Sequence, residues 1–443
     1  MITKIEVDGF KSLNGFDLDI HSGLNILVGP NGCGKTNIIL FFEFLSKLTS
    51  EDLHNAVTKV GGAGTIFKKI GEKEYNKFIS CKINGCKKVE KEYIKYQYSF
   101  KIGISFDKDF LFFDEQEFKS KIVKSFTNET SFTDWDLILK QDSGDTNKSK
   151  VILEKINLDK YKPRFLPDKK KDVEEVKDIC AKYLKEFKPA TVSLIQASFM
   201  LGEQNWNILH DLRSGETFNI VPSKVKQPED SANSAGIQKD GSGLANTLYA
   251  MKKSRSQYNM GYPFFMYPGG QLYDKETLKK IIENVKLANP LILNIDVSND
   301  QFNNQLIIKV FIKGKDDTTV LPLSAMSDGT IKWITLITAI LTSREIFSIE
   351  EPENFLHPWM QAEIVNIMRN TFSTKNEESF VLMTTHSETL LNYSKPNELI
   401  IISIKDGNTI AKRLTNSELI NEEIKSTGFG LGYYYVSNAL DNE

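Results

Sequence analysis

The chain has 443 residues, of which 40% are hydrophobic and 26% are charged, and its formal net charge is −2. This length allows two or three domains, and the near-neutral charge gives no global electrostatic footprint for nucleic acid. No run approaches the roughly 18 apolar residues that span a bilayer. The start "MITKIEVDGF" lacks the pattern of a signal peptide. We therefore expect a cytoplasmic protein without a membrane partner. Four cysteines are too few for a disulfide scaffold, and we interpret Cys81 and Cys86 as flanking a turn.

The first 28 residues predict three short strands, "ITKIEVDGF", "FDLDI" and "LNILVG", separated by turn signals. The glycine-rich stretch "GPNGCGKTN" follows, and then a helix to about residue 48. A glycine-rich turn between a strand and a helix raises the question of a phosphate site.

The stretch fits the pattern Gly-x-x-x-x-Gly-Lys-Ser/Thr. In this pattern the glycines let backbone N–H groups converge on a phosphate, and the helix N-terminus adds partial positive charge. Lys35 would reach the β- and γ-phosphate oxygens, and Thr36 would ligate Mg²⁺. A turn that merely opens a helix is the alternative. The candidate binding residues are Gly29, Pro30, Asn31, Gly32, Cys33, Gly34, Lys35, Thr36 and Asn37, with Cys33 as a small filler rather than a redox group.

The middle of the chain, from about 52 to 260, gives a mixed pattern. Residues 92–106 alternate like a strand and residues 172–187 have helical spacing, while polar loops separate such segments. No heptad repeat persists, so we expect no long coiled-coil arm.

From about residue 275 the pattern becomes clearer. It predicts a helix over 275–288, strands over 291–297 and 304–312, and then alternating elements: a helix over 329–342, a strand over 345–350, a helix near 358–370 and strands over 379–385 and 398–404. Strands alternating with helices around a phosphate loop indicate a mainly parallel sheet with its site at the strand ends.

The stretch "REIFSIEEPENFLHP" places two carboxylates at the end of an apolar strand. Consecutive strand residues point to opposite sides, so Glu350 and Glu351 can have different roles. We expect Glu350 to hold Mg²⁺ and Glu351 to polarise the water that attacks the γ-phosphate. A charged loop after an edge strand is the alternative.

The stretch "SFVLMTTHSETLL" repeats this layout with His386 after the strand. A histidine there can bond a γ-phosphate oxygen or the attacking water. An ordinary hydrogen-bonded histidine is the alternative.

The stretch "LSAMSDGTIKWITLITAIL" has a buried helical stripe, which places Ser327 and Gly329 at a helix N-terminus facing an anion. Taken alone, these residues are better explained by a simple N-cap.

Together these elements resemble the heads of ABC-type ATPases, in the same order along the chain. The wording "SDGT", "EEPENFLHP" and "TTHSETLL" looks like the branch of stand-alone AAA-family (AAA_21-like) ATPases related to the RecF, SMC and OLD heads. That branch includes ATPases of anti-phage systems such as Septu, PARIS and retrons. The resemblance implies an α/β fold: an ABC-type P-loop ATPase head with a mainly parallel core sheet, an N-terminal antiparallel strand subdomain and an inserted α+β or helical region.

We expect an N-terminal ATPase lobe at 1–104, an inserted lid or arm region at 105–235 and a C-terminal lobe at 236–443. The resemblance implies that Lys35 and Thr36 bind ATP and Mg²⁺ while Ser327 and Gly329 of a second subunit close over the γ-phosphate, so that ATP joins a homodimer or higher oligomer. The resemblance implies that the catalytic residues are Glu351, His386 and Lys35. Lys11 matches a basic residue that lies near the nucleotide base in related ATPase heads. The glutamine that normally links the metal to the lid is not identified, and Gln97 and Gln196 are candidates. Glu350 stands where transporter ATPases usually have an aspartate.

Three uses of the energy compete. A transporter motor needs a fuller signature than "MSDGT", an SMC-like clamp needs long arms, and an OLD-type nuclease needs a further domain for which 387–443 is too short. By elimination and analogy, we expect a regulatory ATPase that controls a partner effector, a nuclease encoded nearby, in anti-phage defence. DNA or a phage-derived molecule would be its trigger. The alternative is a RecF/SMC-like DNA-binding ATPase in repair or recombination.

Overall fold

The computed structural model describes the chain except residues 72–73, 106–109, 127–133, 143–148, 164–171, 214, 255–272, 316, 344–345, 375–378, 415 and 438–443. The described chain divides into two compact units. The first comprises Met1–Gly215, Glu378–Phe380 and Ile400–Arg413; the second comprises Glu216–Glu377, Val381–Leu399 and Leu414–Glu443.

The strands, in chain order, are β1 (Ile2–Asp8), β2 (Phe16–Asp19), β3 (Gly23–Val28), β4 (Phe78–Val89), β5 (Glu92–Ser105), β6 (Phe110–Val123), β7 (Leu137–Gln141), β8 (Val151–Ile156), β9 (Glu216–Phe218), β10 (Glu229–Asp230), β11 (Ile292–Asp300), β12 (Gln305–Lys313), β13 (Thr318–Pro322), β14 (Ile346–Glu350), β15 (Phe380–Thr385), β16 (Leu399–Lys405) and β17 (Asn408–Arg413).

The α-helices, in chain order, are α1 (Lys35–Leu48), α2 (Leu53–Lys59), α3 (Ala63–Ile66), α4 (Val173–Leu184), α5 (Leu194–Ser198), α6 (Glu203–Arg213), α7 (Pro222–Val225), α8 (Leu244–Lys253), α9 (Lys275–Ala288), α10 (Asp328–Thr342), α11 (Pro358–Thr374), α12 (Glu388–Asn392), α13 (Ser417–Thr427) and α14 (Leu431–Val436). No helix within the described ranges is long and apolar enough to cross a membrane.

A seven-stranded antiparallel sheet dominates the first unit, with the strand order β2-β1-β4-β5-β6-β7-β8. The same unit contains β3 next to β16, and β16 forms an antiparallel hairpin with β17. Helix α1 packs an aromatic cluster in which the Phe10 ring lies 5.2 Å from that of Phe41 and 5.8 Å from that of Phe44. Such burial fixes the helix that follows the glycine-rich stretch.

The turn predicted around Cys81 and Cys86 is wrong, because β4 runs straight through both residues. Gly85, which suggested the turn, pairs with Tyr96 of β5. A Cβ at Gly85 would lie 2.1 Å from the Tyr96 ring. The glycine is therefore required by a tyrosine lying across it rather than by a change of chain direction.

The second unit has its own small antiparallel sheet, in which β12 pairs with β10, β11 and β13. Strands β15, β14 and β9 are neighbours in that order, and β9 runs parallel to β14. Helix α10 is almost entirely buried, and its Trp333 indole donates to the carbonyl of Asn284 on α9 at 3.2 Å. These elements place the ends of β14 and β15 and the start of α10 in one unit.

The predicted α/β class is confirmed, and the first unit contains the predicted N-terminal antiparallel strands. Helix α9 spans the predicted residues 275–288, and α10 begins one residue before the prediction. After the predicted strand over 398–404, the chain forms β17, α13 and α14. The three-domain division remains a prediction.

Candidate functional site

The glycine-rich loop lies between β3 and α1 in the first unit. Helix α1 begins at Lys35 behind Gly34, which has a φ of 104° and makes no side-chain cap. The first turn has no acidic residue, and Thr36 in this turn is exposed. The first N–H groups of a helix lack intrahelical partners, so this end of α1 favours an anion.

Lys35 lies folded into the loop that precedes it. Its ammonium donates to the carbonyl oxygens of Gly29 at 2.7 Å and Pro30 at 3.0 Å, and the residue is only 7% exposed. The Cys33 sulfur lies 3.9 Å from the same nitrogen. A cation is thus concentrated beside the helix N-terminus, as the phosphate-loop interpretation predicts.

Two glycines of the loop are required by the β16–β17 hairpin. A Cβ at Gly29 would lie 2.1 Å from the carbonyl oxygen of Ile402, and a Cβ at Gly34 would lie 1.9 Å from the Thr409 hydroxyl. Both distances are shorter than any real contact. The hairpin therefore supports the loop from behind at van der Waals distance.

A polar network that sequence reasoning missed joins this hairpin to the loop. The Thr409 hydroxyl donates to the Cys33 carbonyl at 2.9 Å and lies 2.7 Å from the Ser12 hydroxyl. The side-chain amide of Asn37 donates to Ser12 at 2.7 Å. The "DGN" turn signal before Thr409 could have predicted the hairpin, but nothing local indicated its partner.

The other first-unit candidates have definite positions. Lys11 has a φ of 49°, its N–H donates to the Ile66 carbonyl at 2.8 Å, and burial lowers the pKa of its ammonium. Gln97 donates to Asn84 on the neighbouring strand. Gln196 donates to the carbonyl of Leu48 at 3.0 Å. Leu48 is the last residue of α1, and the phosphate loop precedes the first, about 20 Å away along the helix. Gln196 therefore lies far from the phosphate loop.

In the second unit, the two carboxylates at the end of β14 differ in environment. Glu350 is 9% exposed. Glu351 has a φ of 43°, and its N–H donates to the Thr384 carbonyl at 3.1 Å. The Asn354 side chain donates to Glu351 Oε2 at 2.8 Å. The strained backbone and this hydrogen bond give the Glu351 carboxylate a fixed direction.

His386 follows β15 and is held through Glu353, which sequence reasoning also missed. Glu353 Oε1 accepts from the His386 N–H at 2.7 Å and from the Thr385 hydroxyl at 2.8 Å. Its other oxygen, Oε2, is buried and has no hydrogen-bond partner among the residues that the structure describes. The His386 side chain is exposed. The loop after β14 and the loop after β15 are thus joined directly.

The start of α10 packs on the same loop. Ser327 caps the helix by accepting from the Thr330 N–H at 3.3 Å, as the simple N-cap alternative predicts, and remains exposed. A Cβ at Gly329 would lie 2.7 Å from the Phe355 carbonyl oxygen. The buried Lys332 ammonium donates to the Glu351 carbonyl at 3.0 Å. Burial lowers the pKa of Lys332 to about 8, against the attraction of the Glu353 and Glu351 carboxylates.

The second unit therefore brings Glu350, Glu351, His386 and the Ser327 helix together, while the first unit holds the phosphate loop. A glycine-rich loop with a buried lysine at a helix N-terminus defines a P-loop protein. The family described as "AAA domain, putative AbiEii toxin, Type IV TA system" (AAA_21) matches residues 24–392. The chain belongs to this family.

Curated relatives match short segments. The chain is 41% identical over 66 residues to the chromosome partition protein Smc of Cereibacter sphaeroides, which is 15% of this chain and 6% of that protein. It is 38% identical over 60 residues to the sn-glycerol-3-phosphate import ATP-binding protein UgpC of Vibrio cholerae, which is 13% of this chain and 16% of that protein. The chain thus matches much less than two thirds of either relative.

Solved structures that match this chain include SMC heads. The SmcHead bound to the C-winged helix domain of ScpA has a TM-score of 0.49 and 12% identity, and the match covers 94% of this chain and 99% of that one. The Smc head of Pyrococcus furiosus bound to the C-terminal domain of ScpA has a TM-score of 0.45 and 15% identity, with coverages of 96% and 99%.

Proposed function

We propose that this protein binds ATP with Mg²⁺, hydrolyses it, and uses the hydrolysis to control a partner effector. The observation that carries the ATPase proposal is the Lys35 ammonium, which is held by two loop carbonyls at the N-terminus of α1. A buried cation beside a helix N-terminus without an acidic first turn is an environment for a polyphosphate.

The residues present fit this cofactor. The loop and the first turn of α1 would hold the phosphates, and Lys35 would neutralise the β- and γ-oxygens. Each unit offers one candidate Mg²⁺ ligand, the exposed Thr36 hydroxyl in the first and the buried Glu350 carboxylate in the second, and Mg²⁺ usually takes one or two protein oxygens besides phosphate and water. When bound, Mg²⁺-ATP supplies the phosphoanhydride that is hydrolysed.

The chain's own groups would prepare the water. Glu351, fixed by Asn354 and by its backbone bond to Thr384, would orient a water and accept its proton. His386 would contact the γ-phosphate side, because Glu353 fixes its backbone while leaving the imidazole exposed. Because Glu353 in the loop after β14 bonds the backbone of His386, Glu351 and His386 would be positioned together relative to the same γ-phosphate.

We propose that two chains close over ATP. The start of α10 is exposed at Ser327, where the helix N-terminus could approach the phosphate of a second copy. Phe355, whose carbonyl oxygen lies against Gly329, is 62% exposed, which supports an association surface at this position. A homodimer or higher oligomer would then depend on nucleotide.

The proposed effector is a nuclease encoded nearby, in prokaryotic anti-phage defence, with DNA or a phage-derived molecule as trigger. The resemblance to defence ATPases supports this, as does the family description, which mentions a type IV toxin–antitoxin system. Every recognised catalytic residue serves phosphoanhydride hydrolysis, so the output must pass to another molecule through different affinities of open and closed assemblies. The inserted region at 105–235 is the proposed docking site.

The second candidate is a RecF/SMC-like DNA-binding ATPase, favoured by the 41% identity to Smc over 66 residues. The two functions differ in their response to DNA. Stimulation of the ATPase by DNA in the absence of any second protein would favour this candidate, whereas a requirement for a second protein would favour the regulatory ATPase.

The test begins with nucleotide affinity. Lys35→Ala should weaken ATP binding about tenfold or more, because a charge-assisted hydrogen bond contributes about 1.5–3 kcal/mol. Lys47→Ala, at the other end of the same helix, is the control. Wild-type affinity in Lys35→Ala would refute the phosphate site. The purified chain should also leave DNA and RNA intact with metal present, and cleavage should require a second polypeptide.

A further inference from the structure

Lys332 stands out among the charged residues of the second unit. It is on the first turns of α10, it is 1% exposed, and its ammonium donates to the Glu351 carbonyl at 3.0 Å. A charge buried to this extent costs free energy unless it is paired or hydrogen-bonded. Nothing in the nucleotide chemistry described above requires a cation at this position.

Lys332 is held by the Glu351 carbonyl, and two carboxylates in the same loop attract it from farther away. Glu353 and Glu351 both attract it, and the ring centroid of Phe355 lies 5.8 Å from its nitrogen. Glu353 Oε2 is buried without a hydrogen-bond partner among the described residues, and Lys332 is a cation that attracts this carboxylate. The Lys332 ammonium thus contacts the loop that follows β14 at Glu351 and attracts the carboxylate of Glu353 in the same loop.

The same loop connects to two other elements. The Phe355 carbonyl lies against Gly329, next to the exposed start of α10. Glu353 Oε1 holds the His386 N–H, and the Glu351 N–H is bonded to Thr384. Lys332 therefore joins α10 to the backbone of Glu351, and Glu353 in the same loop joins that loop to His386.

We propose that Lys332 is a positioning residue that fixes the loop from Glu351 to Phe355, so that the helix carrying Ser327 and the pair Glu351 and His386 move as one body. This inference rests on the proposed ATPase function. Contact of a second copy with the start of α10 would then set the catalytic carboxylate of the same chain, which makes hydrolysis depend on assembly.

The test compares Lys332→Met with Lys332→Arg and with Lys226→Met. Methionine keeps the length and apolar packing but removes the charge, and arginine restores it. Lys226 is the matched control, because its ammonium pairs with Asp328 on the same helix at 2.7 Å but is partly exposed. The readouts are kcat, KM for ATP, the thermal midpoint and amide hydrogen exchange.

We expect Lys332→Met, assayed below its thermal midpoint, to lose at least tenfold in kcat with KM within twofold, because the Glu351 carbonyl loses the donor that holds the loop. Lys332→Arg should recover part of the turnover, and Lys226→Met should be unchanged. Without nucleotide, the amides of Glu351 and His386 should exchange faster in Lys332→Met.

The outcomes separate the two proposals. Absence of turnover in the wild-type protein would refute the ATPase, and amide exchange would still decide the role of Lys332. Unchanged exchange at Glu351 and His386 would overturn that role. Normal kcat in Lys332→Met, with an active wild type, would overturn it as well. A fall in kcat that merely follows a fall in the thermal midpoint would identify a structural residue and also contradict the proposal.

Discussion

The backbone N–H of His386 donates to the Glu353 carboxylate at 2.7 Å, so the residue that follows β15 is held by the loop that follows β14. Glu353→Ala would leave this N–H and the Thr385 hydroxyl without their acceptor. We expect it to lower the free energy of unfolding by about 1–3 kcal/mol. Glu353→Gln keeps one acceptor oxygen and should lose less. Denaturant unfolding of both variants measures this, and equal stability of Glu353→Ala and the wild type would contradict it.

Glu351→Gln tests the assignment of the catalytic carboxylate. The amide preserves shape but cannot accept a proton, so ATP binding should persist while turnover falls about a hundredfold or more. The ATP-bound assembly should accumulate. Steady-state hydrolysis and size-exclusion chromatography with ATP measure the two effects, with the exposed Glu418→Gln as control. Hydrolysis at the normal rate would show that another residue is the base.

Gly34→Ala tests the support of the phosphate loop. Its Cβ would lie 1.9 Å from the Thr409 hydroxyl at a φ of 104°, so the loop must shift and ATP binding should be lost. Gly62→Ala is the matched control, because Gly62 has a φ of 85° but open space around its Cβ. It should bear only the backbone strain, about 1 kcal/mol, and bind ATP normally. Calorimetric titration measures ATP binding by both variants. Normal binding by Gly34→Ala would contradict the claim that the hairpin restricts the loop at this position.

Ser327→Arg tests the association of two copies. A bulky cation at the exposed start of α10 should block the approach of a neighbouring nucleotide while each chain still binds ATP. Light scattering with and without ATP measures the assembly. Ser324→Arg, three residues earlier and also exposed, is the control. ATP-dependent assembly that survives Ser327→Arg would refute the proposed shared site.

The pH dependence of stability follows from Lys332. Its pKa in the folded protein is about 8, below the ordinary 10.5, so below pH 8 the lysine is charged in both states. Between pH 8 and 10.5 the unfolded chain binds more protons, and stability rises with pH by up to about 1.4 kcal/mol per unit from this residue. Unfolding of the wild type and Lys332→Met at pH 7 and pH 9.5 should therefore show a relative gain for the wild type. Parallel pH curves would contradict this.

What sequence reasoning predicted well is what depends on neighbours along the chain. The phosphate loop needs only a strand, nine residues and a helix, and α9 follows from its own apolar spacing and its Asp274 cap. The carboxylates at the end of β14 were found for the same reason.

What was missed depends on distant contacts. Ser12 and Thr409 are 397 positions apart, and no local pattern joins them. Lys332 resembled any lysine on a helix because its burial comes from the loop that packs over it. Gly85 suggested a turn because glycine has the same local signal in a turn and under a tyrosine on a neighbouring strand.

The support of the phosphate loop comes from the far end of the chain: Thr409 bonds the carbonyl of Cys33 across 376 positions. A ribosome adds roughly 5–20 residues per second, so the phosphate loop is synthesised well before the hairpin that contacts it. Contacts of such sequence separation also form slowly after release. A nascent chain that stops before residue 409 carries the glycine-rich motif without the hairpin that shapes it, so the loop can reach its folded form only after residue 409 has been added.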